Sequence, residues 1–127
     1  MKKRTFIIAE LSANHNGDIK VALDSIRAAK RTGADAVKIQ TYTADTLTID
    51  CKNDYFKINH GTAWDGEYLY DLYKRAFTPW EWHAEIFRVA NEEGIICFSS
   101  PFDNSAVDLL EELKAPIYKI ASFEIQD

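Results

Sequence analysis

The 127-residue sequence contains no apolar run near the roughly 20 residues that a membrane-spanning helix requires, so no part of it reads as a transmembrane segment. Basic charge is also scarce. Lys and Arg number 15 against 20 Asp and Glu, a formal net charge of -5, which argues against a nucleic-acid partner because phosphate-backbone binding leaves a basic surface. Cysteine is limited to Cys51 and Cys97, in separate segments and without metal-ligand spacing. They read as unpaired thiols in a reducing compartment, and the expected location is the cytoplasm. Repeats and low-complexity segments are absent as well.

What is present is the composition of one globular domain, 46% hydrophobic and 13% aromatic, enough to bury a core. Met1-Lys2-Lys3-Arg4 followed by Phe6-Ile7-Ile8-Ala9 imitates the start of a signal peptide, but Glu10 closes the apolar run too early. A first strand is the better reading. Asp18 suits the N-cap of a helix carrying Ala22, Leu23, Ile26 and Ala29 inward, and Gly33 suits its end. Asp35 to Tyr42 follows as a buried strand with Ala36, Lys38 and Gln40 on one face and Val37 and Ile39 on the other. An ammonium and a carboxamide on such a face are costly unless they meet partners or a ligand, so this strand ends in a polar site.

From Thr41 to Gly66 the pattern loosens into a long excursion of the kind that often serves as a lid. Leu69, Leu72, Tyr73 and Ala76 then give a short amphipathic helix. Thr78-Pro79-Trp80-Glu81 reads as a capping box opening the next helix, with Trp82, Ile86, Val89 and Ala90 inward. Ile95 to Phe98 is a third strand ending in Ser99-Ser100-Pro101-Phe102-Asp103. Asp103 or Asn104 caps a helix, and a fourth strand follows Pro116, with Lys119, Ala121 and Phe123 on one face and Tyr118, Ile120, Ser122 and Glu124 on the other. Alternation of this kind implies a parallel α/β sheet. With four strands the chain matches the N-terminal half of a TIM (βα)8 barrel, or else an open sheet. Parallel sheets place their sites at the C-terminal strand ends, and lysines on two such ends point to an anionic ligand.

Ala9-Glu10-Leu11-Ser12-Ala13-Asn14-His15-Asn16-Gly17, Val37-Lys38-Ile39-Gln40-Thr41, Phe98-Ser99-Ser100-Pro101-Phe102-Asp103 and Tyr118-Lys119-Ile120-Ala121-Ser122-Phe123-Glu124, in this order and spacing, resemble the sialic acid synthase family. Ile39-Gln40-Thr41-Tyr42 and the Phe98 to Asp103 motif favour its pseudaminate branch over its neuraminate branch. The resemblance implies condensation of phosphoenolpyruvate with an open-chain N-acetylated amino sugar, with release of phosphate, in a homodimeric enzyme. It also implies a complete (βα)8 barrel and an antifreeze-like domain, so residues 1–127 would be the first half-barrel of a longer chain. By the same resemblance Lys38, Ser100, Lys119 and Ser122 fall where the family holds phosphate and carboxylate. Glu10, Gln40, Phe102 and Glu124 fall near the sugar and the reacting carbons. The family's divalent metal, commonly Mn2+, takes histidines on later strands. His15, His60 and His83 do not match those ligands.

Each residue also has a plainer reading. Lys38 and Lys119 could snorkel to solvent, Glu10 could cap the following loop, and Ser100 and Ser122 could be ordinary strand-end hydroxyls. Asn14 and His15 suit a tight strand-to-helix turn, and Trp80, Trp82 and His83 suit helix packing. Two other functions compete with the synthase: a Schiff-base aldolase using Lys38 or Lys119, and a non-catalytic anion-binding α/β domain. Borohydride trapping with pyruvate separates the first, and the length of the open reading frame the second.

Overall fold

The computed structural model describes residues 4–126. Strand β1 (Ile8–Ser12) leads through helix α1 (Ile19–Arg31) to β2 (Ala36–Thr41). The chain continues through α2 (Ala44–Leu47), α3 (Leu69–Ala76) and α4 (Trp80–Glu93) to β3 (Ile96–Pro101) and α5 (Asn104–Glu112). The strands form one parallel sheet in the order β1-β2-β3, the α/β arrangement that the alternating pattern predicts. Among the described residues no helix is long and apolar enough to cross a membrane.

The caps explain where α1 and α5 begin. Asp18 Oδ1 accepts from the Lys20 amide at 2.8 Å, and Asp103 accepts from the amides of Ser105 and Ala106. Gly94 ends α4 in the left-handed region at φ 65°, a conformation that costs glycine little. The expected capping box at Thr78 does not form. Pro79 occupies the N-cap, and the Thr78 hydroxyl instead meets His15 Nε2 at 3.1 Å, so a buried tertiary partner displaces the local cap.

Val37, Ile39 and Cys97 project from one face of the sheet into a core filled by Ile26 of α1, Ile86 and Val89 of α4, and Leu110 of α5. Cys97 is part of that packing, and burial pushes its thiol up to about 12. The alternating positions, Ala36, Lys38, Gln40, Phe98 and Ser100, belong to the opposite face. Period-two patterning therefore assigns one face to the helices and leaves the other to polar groups.

The excursion after β2 is structured. It holds α2, a 3-10 turn at Asp54–Phe56 and a small antiparallel closure, in which the Ile58 amide donates to Glu67 O at 2.8 Å and Lys57 bridges Tyr68. Asp65 fastens its tip by accepting from the amides of His60, Gly61 and Thr62.

The fourth strand is only begun. Tyr118 makes one parallel bridge to Ser99, and the Lys119 amide donates to Ser99 O at 3.0 Å. The next bond of a parallel ladder would come from the amide of residue 101, and Pro101 has none. Beyond Lys119 the chain leaves the sheet and ends in a 3-10 turn at Glu124–Gln126. Residues 119 to 124 therefore do not alternate between two faces as the sequence predicts.

Candidate functional site

The site is built from the register of the sheet. Glu10 stands opposite Lys38, Lys38 opposite Phe98, and Gln40 opposite Ser100, so side chains from all three strands share the polar face toward the C-terminal strand ends. A β-bulge between Glu10 and Ser12 shapes the first of these. One extra residue, Leu11, turns Ser12 to a left-handed φ of 52°, and Glu10 Oε1 accepts from both the Ser12 amide at 3.0 Å and its hydroxyl at 2.8 Å. The other carboxylate oxygen, Oε2, lies 2.5 Å from Lys38 Nζ. Lys38 is 14% exposed and Glu10 46%, so this pair is a half-buried, charge-assisted contact.

Beside it lies a cleft of about 510 Å³ that brings together Gln40, Phe102, Lys119, Ser122 and Glu124. These residues come from β2, the end of β3 and the segment after Tyr118. That segment delivers Lys119, Ser122 and Glu124 to one space because it is a turn there and not a strand. Among the described residues Lys119 has no carboxylate ion-pair partner, in contrast to Lys38. Glu124 carries a buried carboxylate oxygen, Oε2, that has no hydrogen-bond partner among the described residues. A buried acceptor of this kind is costly when left alone and suits a ligand hydroxyl or N–H.

Two tyrosines complete the wall. Tyr42 packs edge-on against Phe102 and Tyr73, each at 5.9 Å between ring centroids. Burial, with a smaller contribution from Tyr73, pushes the Tyr42 phenol up to about 12. It therefore stays a neutral hydroxyl at physiological pH. Tyr42 was legible as the continuation of the Ala36, Lys38, Gln40 face, whereas Tyr73 sits on a helix whose apolar stripe gave no hint of the cleft. Ser100 is buried beside Gln40 and does not line the cleft; Glu10 and Lys38 lie outside it on the same sheet face. Five of the expected residues thus line one cleft, Glu10 and Lys38 pair outside it, and Ser100 belongs to neither.

His15 and His83 offer nothing to a metal. His15 accepts from the Gly17 amide through Nδ1 and meets Thr78 through Nε2. His83 Nδ1 faces Pro79 O at 3.2 Å and Nε2 faces Thr41 Oγ1 at 2.9 Å. Both rings are committed at both nitrogens, and no group of three metal-binding side chains occurs among the described residues. The family's divalent cation does not fit the residues present.

A parallel βα sheet with lysines, hydroxyls and carboxylates toward its C-terminal strand ends defines an α/β protein with a polar cleft where such sheets carry their sites. The chain belongs to the NeuB family, whose pattern it matches over residues 25–127. It is 55% identical over 125 residues to the pseudaminic acid synthase of Campylobacter jejuni subsp. jejuni serotype O:2, covering 98% of this chain and 36% of that protein. With the pseudaminic acid synthase of Helicobacter pylori it shares 55% identity over 121 residues, covering 95% and 35%. The crystal structure of N-acetylneuraminic acid synthetase from Leptospira borgpetersenii serovar Hardjo-bovis, in complex with citrate, superposes with a TM-score of 0.79 at 28% identity, covering 98% of this chain and 38% of that one. The chain spans about a third of the length of the curated relatives it matches.

Proposed function

We propose that this chain supplies the phosphoenolpyruvate-binding strand ends of a pseudaminic acid synthase, in which phosphoenolpyruvate condenses with a 2,4-diacetamido-2,4,6-trideoxy-hexose and phosphate is released. The observation that carries this reading is the cleft itself, which Lys119, Ser122 and Glu124 line together with Gln40 and Phe102. Lys119 and Lys38 offset the charge of a trianionic substrate, and the Ser100 and Ser122 hydroxyls donate to its oxygens. Carbon 3 of phosphoenolpyruvate forms the new bond to the aldehyde carbon of the sugar. Water adds at carbon 2, and the carbon–oxygen bond to phosphate breaks as the 2-keto acid forms. Glu10, already holding Lys38, is the candidate to take a proton from that water. Gln40, Phe102 and Glu124 face the sugar.

The divalent cation belongs to ligands elsewhere in the longer enzyme, as do the remaining barrel strands, the antifreeze-like domain and the dimer contact. The test is phosphate release by the longer enzyme, with phosphoenolpyruvate and the diacetamido sugar supplied. Turnover that requires the sugar supports the reading. A covalent adduct trapped by borohydride with pyruvate would replace it with a Schiff-base aldolase. Residues 1–127 expressed alone are expected to release no phosphate.

A further inference from the structure

Behind the cleft, on the helix-facing side of the same strands, lies a buried line of polar groups that the proposed chemistry does not use. His83 of α4, Thr41 of β2 and Ser99 of β3 are all 0% exposed. His83 Nε2 is 2.9 Å from Thr41 Oγ1, which is 2.7 Å from Ser99 Oγ. The direction of this line follows from counting donors. Pro79 O can only accept, so His83 Nδ1 carries the ring proton. Burial holds the imidazole below its usual range, against the pull of Pro79, Trp80 and Glu81 and with help from His15, so Nε2 presents a lone pair. Thr41 must then donate to His83, and its oxygen accepts from Ser99. Ser99's contact with Ile39 O at 3.2 Å is the longer arm.

Two members of the line touch the site through the backbone, and His83 reaches it through Thr41. Thr41 follows Gln40 in β2, and Ser99 precedes Ser100 in β3. Ser99 O also receives the Lys119 amide at 3.0 Å, which is where the unfinished fourth strand is attached. Ser99 therefore joins three segments that each present a site residue on the far face. We propose that Ser99, Thr41 and His83 are positioning residues that fix Gln40, Ser100 and Lys119 relative to one another at the strand ends. The identity of the ligand used below rests on the proposed function; the hydrogen-bond line does not.

The test uses the longer enzyme that contains this chain, labelled with nitrogen-15. At pH 7.5 the His83 ring is expected as the neutral Nδ1–H tautomer. Thr41→Val keeps the shape and removes the hydroxyl, so it should move the His83 Nε2 signal and the amide signals of Gln40, Ser100 and Lys119. It should also weaken phosphoenolpyruvate binding about five- to tenfold, the size of one hydrogen bond's net worth. Thr41→Ser should restore all of these, which a general loss of stability would not explain. Should Thr41→Val fail to fold, Ser99→Ala is read in the same way, with Ser99→Thr as its rescue. An Nε2–H tautomer in the parent, or a hydroxyl-free variant with unmoved site signals and unchanged affinity, overturns the proposal. A parent chain that binds no phosphoenolpyruvate overturns the ligand assignment instead, and the tautomer and amide signals still decide the positioning role.

Discussion

Strand β2 is paired along its length, to β1 on one side and β3 on the other, whereas the segment from Ile117 to Glu124 meets the sheet at a single bridge. Each presents a lysine to the site. Lys38 is held between two ladders and clasped by Glu10, while Lys119 hangs from one hydrogen bond that its backbone amide donates to Ser99 O. The difference teaches that a strand's neighbours, more than its own residues, set how firmly its end is placed. It also separates the two charges: Lys38 is clasped by a carboxylate, and Lys119, among the described residues, is not.

The largest expected effect tests that division in the longer synthase. Lys38→Ala and Lys119→Ala should each cost on the order of 2–5 kcal/mol in kcat/KM for phosphoenolpyruvate, as truncating one partner of a desolvated charge pair does. Because Lys38 also holds Glu10, its loss should fall more heavily on kcat, and that of Lys119 on KM. Steady-state kinetics that leave both parameters unchanged in both variants would remove the lysines from the site.

Stability provides a second contrast of similar size at one end and near zero at the other. Ile39 is buried in the core, so Ile39→Ala should cost about 2–5 kcal/mol in urea unfolding. Ile120 is 56% exposed and unpaired, so Ile120→Ala should stay within about 0.5 kcal/mol. Equal losses at the two positions would mean that the 117–124 segment is packed as firmly as β2.

The order of elements was legible because apolar periodicity switches cleanly between 2 and 3.6, and because Asp18, Asp103 and Gly94 mark helix ends with their own chemistry. Among the cleft residues, Gln40 and Lys119 stood out by type on their strands, whereas Phe102, Ser122 and Glu124 were singled out only through the family resemblance. The end of the fourth strand was not, because Lys119 to Phe123 alternates like a strand and the obstacle is Pro101 in a different segment. Thr78 misled for a related reason: its cap is a local choice, and the buried His15 that outbids it is distant in sequence. The bulge at Glu10 arises from one residue more in β1 than in β2 and shows only when the two are aligned.

A smaller effect follows from protonation near β2. Burial lowers the pKa values of both His15 and His83 from 6.5, so the unfolded chain binds more protons than the folded one once pH drops below that value. Stability contributed by the neutral rings is fully present above pH 6.5 and is lost as pH falls through their folded values. The urea midpoint should therefore decrease from pH 7.5 to 5.5, above the range where the carboxylates begin to titrate. His83→Gln should flatten that decrease. A midpoint that is constant or rises on acidification would contradict the buried, neutral assignment.

The smallest effect addresses the comparison at its origin. If Pro101 stops the fourth strand by lacking an amide hydrogen, Pro101→Ala supplies the missing donor for Lys119 O and should lengthen the ladder beyond Tyr118. The gain from one such bond is about 0.5–1.5 kcal/mol, and removing proline returns about 0.4–1 kcal/mol of conformational freedom to the unfolded chain. The two nearly cancel, so a melting curve is the wrong instrument. Hydrogen exchange resolves them, because it reads the new amide at position 101 directly. That amide should exchange slowly, and protection should extend from Lys119 to Ala121, the next amide that faces β3, while the Ile120 amide points away and stays fast. Exchange at position 101 as fast as in an unstructured peptide would show that the chain leaves the sheet for another reason, such as the pull of its own 3-10 turn at Glu124–Gln126.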